Sequence, residues 1–228
     1  MQASSGFFVS GTDTGVGKTV VACALVRAMR HRGLGVGVMK PIETGVGAAG
    51  PLDAQALRSA AAATEPREET CPQTFARPAA PTVAAADEGP ELEMEPIREA
   101  FARLRQRHQW LVVEGAGGLL VPATRDLSMA DLSRELELPL LIVCRAALGT
   151  INHTLLTLEA AAARELPVAG VVISHSAGHI SNADQANLEA LRDALGATLV
   201  GEIPPLGDGE LPGEESIDLG ALLQRADR

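Results

Sequence analysis

Short apolar runs alternate with stretches of helical periodicity along the chain. They predict strands over 7–10, 35–40, 109–114, 140–144, 168–174 and 198–203, and helices over 18–31, 53–63, 93–107, 128–136, 151–165 and 180–195. Alternation of this kind predicts an α/β protein: a single-domain, doubly wound, mostly parallel sheet with helices on both faces. The runs Leu111–Val113, Leu140–Val143 and Val168–Ile173 are nearly unbroken in apolar residues, as expected of strands buried on both sides. Ligands of such sheets collect at the carboxyl ends of the strands, so the residues that follow each run are read first for chemistry.

The first of these ends is the richest. Phe7-Phe8-Val9-Ser10 leads into Gly11-Thr12-Asp13-Thr14-Gly15-Val16-Gly17-Lys18-Thr19, and a helix follows. Glycines let backbone N–H groups turn inward on phosphate oxygens, and the helix N-terminus adds its positive end. Lys18 would sit between the outer phosphates, and the Thr19 hydroxyl would ligate Mg²⁺. The spacing is a variant P-loop: five residues, not four, separate Gly11 from Gly17, and Thr12 takes the usual glycine position. The expected fold is accordingly P-loop NTPase-like.

Other strand ends carry further polar groups. Glu114 closes an apolar strand and opens the glycine-rich turn Gly115-Ala116-Gly117-Gly118, which suits a metal-side carboxylate or a carboxylate held by nearby N–H groups. Lys40 precedes Pro41, which stops the strand; it offers a second positive charge to the phosphates or simply reaches solvent. Thr44 and a mobile-looking Gly/Ala-rich loop over 45–50 follow, placed to fold over a substrate. Asp53 precedes a helix, where an N-cap explains it as readily as a metal. Gly149-Thr150-Ile151-Asn152-His153 starts a helix with capping residues and free N–H groups, a seat for a carboxylate or an ordinary cap.

Composition narrows the classes. The chain has 228 residues and a formal net charge of −10, with its basic residues scattered, so nucleic acid and anionic membrane are not expected partners. No run of 18 apolar residues exists and the first residues lack a basic segment, so a cytoplasmic location is expected. The three cysteines, Cys23, Cys71 and Cys144, lie far apart and read as reduced core thiols. His153 and His175 have no companions at metal-ligand spacing, and no serine or threonine sits in a pattern for covalent hydrolysis. Phosphoryl transfer is the chemistry left.

Six motifs then occur in order: Gly11-Thr-Asp-Thr-Gly-Val-Gly-Lys-Thr19, Lys40-Pro41 with Thr44, Asp53-Ala54, Val113-Glu-Gly-Ala-Gly-Gly118, Leu148-Gly-Thr-Ile-Asn-His153 and Gly201-Glu-Ile-Pro204. In this the chain resembles the dethiobiotin synthetases from end to end. The resemblance implies an ATP- and Mg²⁺-dependent cyclo-ligase that inserts CO₂ (or bicarbonate-derived CO₂) between the two amines of 7,8-diaminononanoate, forming the cyclic urea of dethiobiotin, with ADP and phosphate released. By matching position, Lys40, Lys18 and Thr14 would carry the catalytic contacts, and Thr19, Asp53 and Glu114 would hold the metal. The nucleotide would lie on Gly15, Val16, Gly17, Lys18, Thr19 and Val20, with Asp53, Glu114, Gly115, Ala116 and Gly117 beside its phosphates. Ser174, His175, Ile203, Pro204 and Pro205 would flank its base. Thr44 and Gly118 would contact the diamine, whose carboxylate tail would rest on Gly149, Thr150, Ile151 and Asn152 of a partner subunit in a homodimer.

Two positions depart from the family pattern. Gly15 stands where a glutamate is frequent, and Ser174 stands where an asparagine contacts adenine. Serine lacks the paired donor and acceptor of an amide, so tolerance of other nucleoside triphosphates is expected. Two other readings share the motifs. A partitioning-type nucleotide switch carries a signature lysine early in the loop, where this chain has Asp13. A ligase of the same fold acting on another amine differs only in its pocket.

Overall fold

Phe7 and Phe8 are neighbours, and both are fully buried, yet they pack into different cores. Successive strand residues point to opposite faces, so this pairing requires a sheet covered on both sides. Leu111 and Val112, and Ile142 and Leu141, divide between the same two cores. The computed structural model describes residues 5–89, 92–176, 181–207 and 210–226; the expected helix start at residue 180 lies outside them.

Along the chain run β1 (Ser5–Gly11), α1 (Lys18–His31), β2 (Val36–Met39), β3 (Ile42–Thr44), α2 (Leu52–Ala61), α3 (Arg67–Thr70), β4 (Gln73–Phe75), α4 (Pro81–Glu88) and α5 (Glu95–Arg107). Then come β5 (Trp110–Gly118), α6 (Met129–Glu135), β6 (Leu140–Arg145), α7 (Thr150–Ala162), β7 (Val168–Ser174), α8 (Asn182–Leu195), β8 (Leu199–Ile203) and α9 (Leu219–Ala226). Six strands form a parallel sheet in the order β2-β5-β1-β6-β7-β8, and β3 pairs with β4 in a separate parallel ribbon. The doubly wound α/β architecture expected from the alternation is the one observed.

Helix α1 shows why the helices dock as they do. Val21, Leu25 and Met29 recur every four residues, stack on one stripe and are wholly buried. With Leu57 of α2 and Leu219 and Leu222 of α9 they cover the face that receives Phe7, Val9 and Val112. Ile97, Phe101 and Leu104 of α5, with Met129, Leu132, Leu188 and Leu191, cover the other. The cysteines are free and buried, and burial pushes the Cys23 and Cys71 thiols up to about 12, so neither is a thiolate at neutral pH. Among the described residues no helix is long and apolar enough to cross a membrane.

The elements that hydropathy did not predict are short or lack a stripe. β3 and β4 have three residues each, too few to show a period, and α4 is rich in alanine. The largest correction concerns Glu114: no turn follows it. β5 continues through Gly115, Ala116 and Gly117 to Gly118, which pairs with Gly11. The pairing with β1 shifts register across this stretch, from Val9 opposite Glu114 to Gly11 opposite Gly118, and Gly117 takes φ 66°, so the strand bulges between those pairs. The loop over 45–50 is hydrogen-bonded within itself and to the helix that follows. Gly50 N–H donates to Gly47 O at 2.9 Å and Gln55 Nε2 to Ala49 O at 2.8 Å, which ties it to α2.

Strand spacing supplies a test. A Cβ added to Gly6 would stand 2.2 Å from the Leu111 carbonyl oxygen on the paired strand β5, and a main-chain oxygen cannot swing aside. Gly6→Ala is expected to cost about 2 kcal/mol in urea unfolding through overpacking. An unchanged midpoint would mean that the two strands separate freely.

Candidate active site

β1 lies between β5 and β6, and the sheet grows outward from it in both directions. At such a reversal the helices diverge to opposite faces, leaving a crevice at the carboxyl end of the strand. The Thr12–Gly17 loop fills that end and hands the chain to α1. Gly17 has φ 93°, and a Cβ there would stand 2.3 Å from Ser174 Oγ, so only glycine fits. Lys18, 7% exposed, curls back so that its Nζ donates to Asp13 O at 3.0 Å. Burial, with Lys40 as a second positive charge nearby, pulls the Lys18 ammonium down to about 8.

Lys40 is the centre of the charge arrangement. Its Nζ lies 2.5 Å from Glu114 Oε1 and 2.9 Å from Asp53 Oδ2, and it is 3% exposed. Burial alone would discharge it, but the two carboxylates outweigh burial and hold its pKa above the ordinary lysine value. Asp53 feels the reciprocal effect. Its burial favours the neutral acid, and Lys40 overrides that, keeping the carboxyl below its ordinary range. The Thr19 hydroxyl donates to Glu114 Oε1 at 2.9 Å, joining α1 to the same cluster.

These groups line a cavity of about 340 Å³. Of the residues expected there, Thr14, Gly15, Gly17, Lys18, Thr19, Val20, Lys40, Thr44, Asp53, Glu114, Ala116 and Gly117 all face it. Three more do so without having been anticipated, Ile42, Glu43 and Ser176. Glu43 stands three residues past Lys40 at the end of an apolar run, so the strand-end rule contained the signal. Ser176 came close only through folding, where its hydroxyl donates to Gly15 O at 3.3 Å. Asp53 is not the N-cap of α2; Pro51 holds that position, and Asp53 sits in the first turn.

Other expected residues lie elsewhere. Val16 is wholly buried, and Gly115 is buried behind Phe8, so only their main chains are available to a ligand. Ser174 is buried under Gly17; Ile203 is buried as well, while Pro204 and Pro205 are exposed. His175 Nε2 lies 2.7 Å from Glu202 Oε1, and Arg192 grips the same carboxylate through two bonds of 2.9 and 2.7 Å. Gly118 lines a second cavity of about 500 Å³ with Thr12, Asp13, His153 and Leu156. None of Gly149, Thr150, Ile151 or Asn152 lines the phosphate-side cavity of its own chain. The start of α7 has no side-chain cap: Gly149, at φ 87°, takes the N-cap position, and Thr150 after it is buried.

The donor set fits a divalent cation accompanied by phosphate. Glu114 Oε2 is fully buried and has no protein hydrogen-bond partner, an arrangement that is costly without a ligand. Thr19, Asp53 and Glu114 offer hard oxygens, yet among the described residues no three His, Cys, Asp or Glu side chains are grouped to hold a metal by themselves. Mg²⁺ suits such a partial shell, because it keeps waters and takes phosphate oxygens. Two lysines face three carboxylates in the cavity, so a polyphosphate entering without a cation would meet net negative charge.

Fold and site together define a P-loop nucleotide-binding protein. A family described as an AAA domain matches residues 5–211. A relative from Anaeromyxobacter dehalogenans (strain 2CP-C), named ATP-dependent dethiobiotin synthetase BioD, is 54% identical over 171 residues, covering 75% of this chain and 77% of its own length. One of the same name from Bacillus cereus (strain ATCC 14579) is 40% identical over 215 residues, covering 94% and 88%. The chain belongs to the ATP-dependent dethiobiotin synthetase family and is an ATP-dependent ligase of biotin synthesis. Among solved structures, the MinC:MinD cell division complex of Aquifex aeolicus aligns over 98% of this chain and 96% of its own, with a TM-score of 0.57 and 12% identity. A ParA family ATPase from Chlorobium tepidum aligns over 98% and 91% with a TM-score of 0.54 and 14% identity. At that identity the likeness concerns the fold.

The Glu202 cluster carries a pH dependence. Burial favours the neutral acid, but bonds from Arg192 and His175 keep the Glu202 carboxyl below its ordinary 4.5. The group therefore contributes stability above pH 4.5 and loses it as pH falls through the lower folded value. Glu202→Gln is expected to lower stability at pH 7 by about 1 kcal/mol and to flatten the acid limb of the profile. Parallel wild-type and variant profiles in urea titrations would remove this contribution.

Proposed function

We propose that the protein joins CO₂ to 7,8-diaminononanoate at the expense of ATP, closing the ureido ring of dethiobiotin, and that one domain spanning residues 1–228 carries the activity. The buried Lys40, held charged by Asp53 and Glu114 beside the P-loop, is the observation that carries this reading. One amine of the diamine takes up CO₂ and sheds a proton, giving a carbamate. The carbamate oxygen attacks the γ-phosphorus and ADP departs. The second amine then attacks the carbonyl carbon of the mixed anhydride, the ring closes and phosphate leaves.

Each residue has a place in that sequence. A carbamate anion must approach an anionic triphosphate, and Lys18 and Lys40 offset that repulsion as charge moves between the two. Thr14 and the main chain of Gly15 to Val20 cradle the phosphates, and Ala116 and Gly117 border the transferred group. Thr19, Asp53 and Glu114 would hold Mg²⁺, which when bound would supply charge neutralisation on the outer phosphates. Thr44 and Gly118 orient the diamine. Ring closure is intramolecular, so the protein accelerates it chiefly by holding the second amine in line.

In this reading a second copy supplies Gly149–Asn152 for the substrate carboxylate. Two observations support it: this segment lies away from the phosphate-side cavity of its own chain, and Leu148, Leu155 and Leu156 around it are exposed at 75%, 38% and 55%. Exposed leucines just before and within α7 are costly in water and suit a like surface. His175 and Pro204–Pro205 border the nucleotide base.

Purified protein with diaminononanoate, bicarbonate, Mg²⁺ and ATP is expected to yield dethiobiotin by mass, and Lys40→Ala to lower turnover by about three orders of magnitude. ATP binding without product would end the assignment. Leu156→Glu is expected to shift the protein to a monomer in sedimentation and to raise the KM for the diamine about tenfold or more. A dimer that survives with unchanged KM would exclude this face.

A further inference from the structure

Helix α2 begins without the means to satisfy its own first turn. Its N-cap is Pro51, which has no side-chain acceptor, and the cap makes no side-chain hydrogen bond. A conventional cap accepts from the second or third helical N–H. Here those positions are Asp53 and Ala54, and both are satisfied from another element. Glu43 Oε1 accepts from Asp53 N–H at 3.0 Å, and Glu43 Oε2 accepts from Ala54 N–H at 2.9 Å. Glu43 is 7% exposed and lies on β3, where it stands opposite Thr74 of β4.

We propose that Glu43 is a positioning residue, whose carboxylate replaces the missing cap of α2 and thereby holds Asp53 at the cation side of the phosphate cavity. The proposal rests on the reading of Asp53 as a metal ligand. Geometry explains why the position matters. Lys40 and Glu43 belong to one short segment, Lys40 meets the Asp53 carboxylate at 2.9 Å, and Glu43 grips the Asp53 main chain. The aspartate is thus fixed at both ends by residues three apart, although α2 itself follows an exposed glycine-rich loop. Glu43 faces the same cavity, yet both of its oxygens are already engaged by N–H groups, so it orients a ligand instead of acting as one. Residues that orient metal ligands typically change metal affinity by 10–100-fold.

The test measures Mn²⁺ binding to the full-length protein in the presence of ADP by electron paramagnetic resonance, with thermal stability recorded in parallel. Glu43→Ala is expected to weaken Mn²⁺ binding about tenfold, and Glu43→Gln, which keeps one acceptor oxygen, to fall between. Adding Pro51→Asp to Glu43→Ala places an acceptor at the helix start and is expected to recover most of the affinity. Asp53→Ala serves as the reference and is expected to weaken binding at least as much as Glu43→Ala. If Asp53→Ala weakens binding while Glu43→Ala and Glu43→Gln do not, the positioning role is wrong and the metal reading stands. Recovery of stability without recovery of affinity in the Pro51→Asp double variant also overturns it. Unchanged binding in Asp53→Ala removes Asp53 from the metal and the proposal with it.

Discussion

A buried lysine is the constraint on which the site depends. Lys40 stands at the end of β2 in a protein interior where an unpaired ammonium would lose its proton, and Asp53 and Glu114 keep it charged. Removing one partner of such a buried group typically costs about 3–5 kcal/mol, because the remaining charge is left without compensation. The three residues come from three separate stretches of chain, so the bond between them also fixes how β2, α2 and β5 sit around the P-loop. Thr19 joins α1 to Glu114 and completes the ring.

That ring works only because of where the sheet places it. β1 has β5 on one side and β6 on the other, and the crossover helices leave its carboxyl end towards opposite faces. A phosphate site at this point draws on N–H groups from a helix start and on side chains from the neighbouring strand ends. Extension of β5 through Gly118 adds a second main-chain wall. The glycines there serve close approach: a Cβ on Gly115 would stand 2.8 Å from the Phe8 ring.

Fold neighbours show what this scaffold leaves open. The MinC:MinD complex and the ParA family ATPase share the fold. The fold alone does not decide the chemistry; the family to which this chain belongs is one of ATP-dependent ligases of biotin synthesis. Fold does not imply function; residues placed at strand ends do.

The alternation of strands and helices, two-sided burial and the phosphate loop were legible in the chain because each leaves a local mark: an unbroken apolar run, a helical stripe, a Gly-Lys-Thr after a strand; the order of the strands in the sheet was not. The lysine and the two carboxylates were visible as single residues at strand ends and a helix start. Their mutual contacts were not, since Lys40 and Glu114 are 74 residues apart and no periodicity reports on such a distance. Two corrections have the same origin. Glycines after Glu114 read as a turn until the pairing of Gly118 with Gly11 carried the strand past them through a bulge, and the capping alternative left open for Asp53 fell away once Glu43, from another strand, was seen to cap the helix instead. Sequence alone determined the layers, the loop and the inventory of charged groups, because these follow from local periodicity and from the side chains present. Only the tertiary structure decided which charges meet, because burial and pairing depend on segments that the fold, not the chain, makes adjacent.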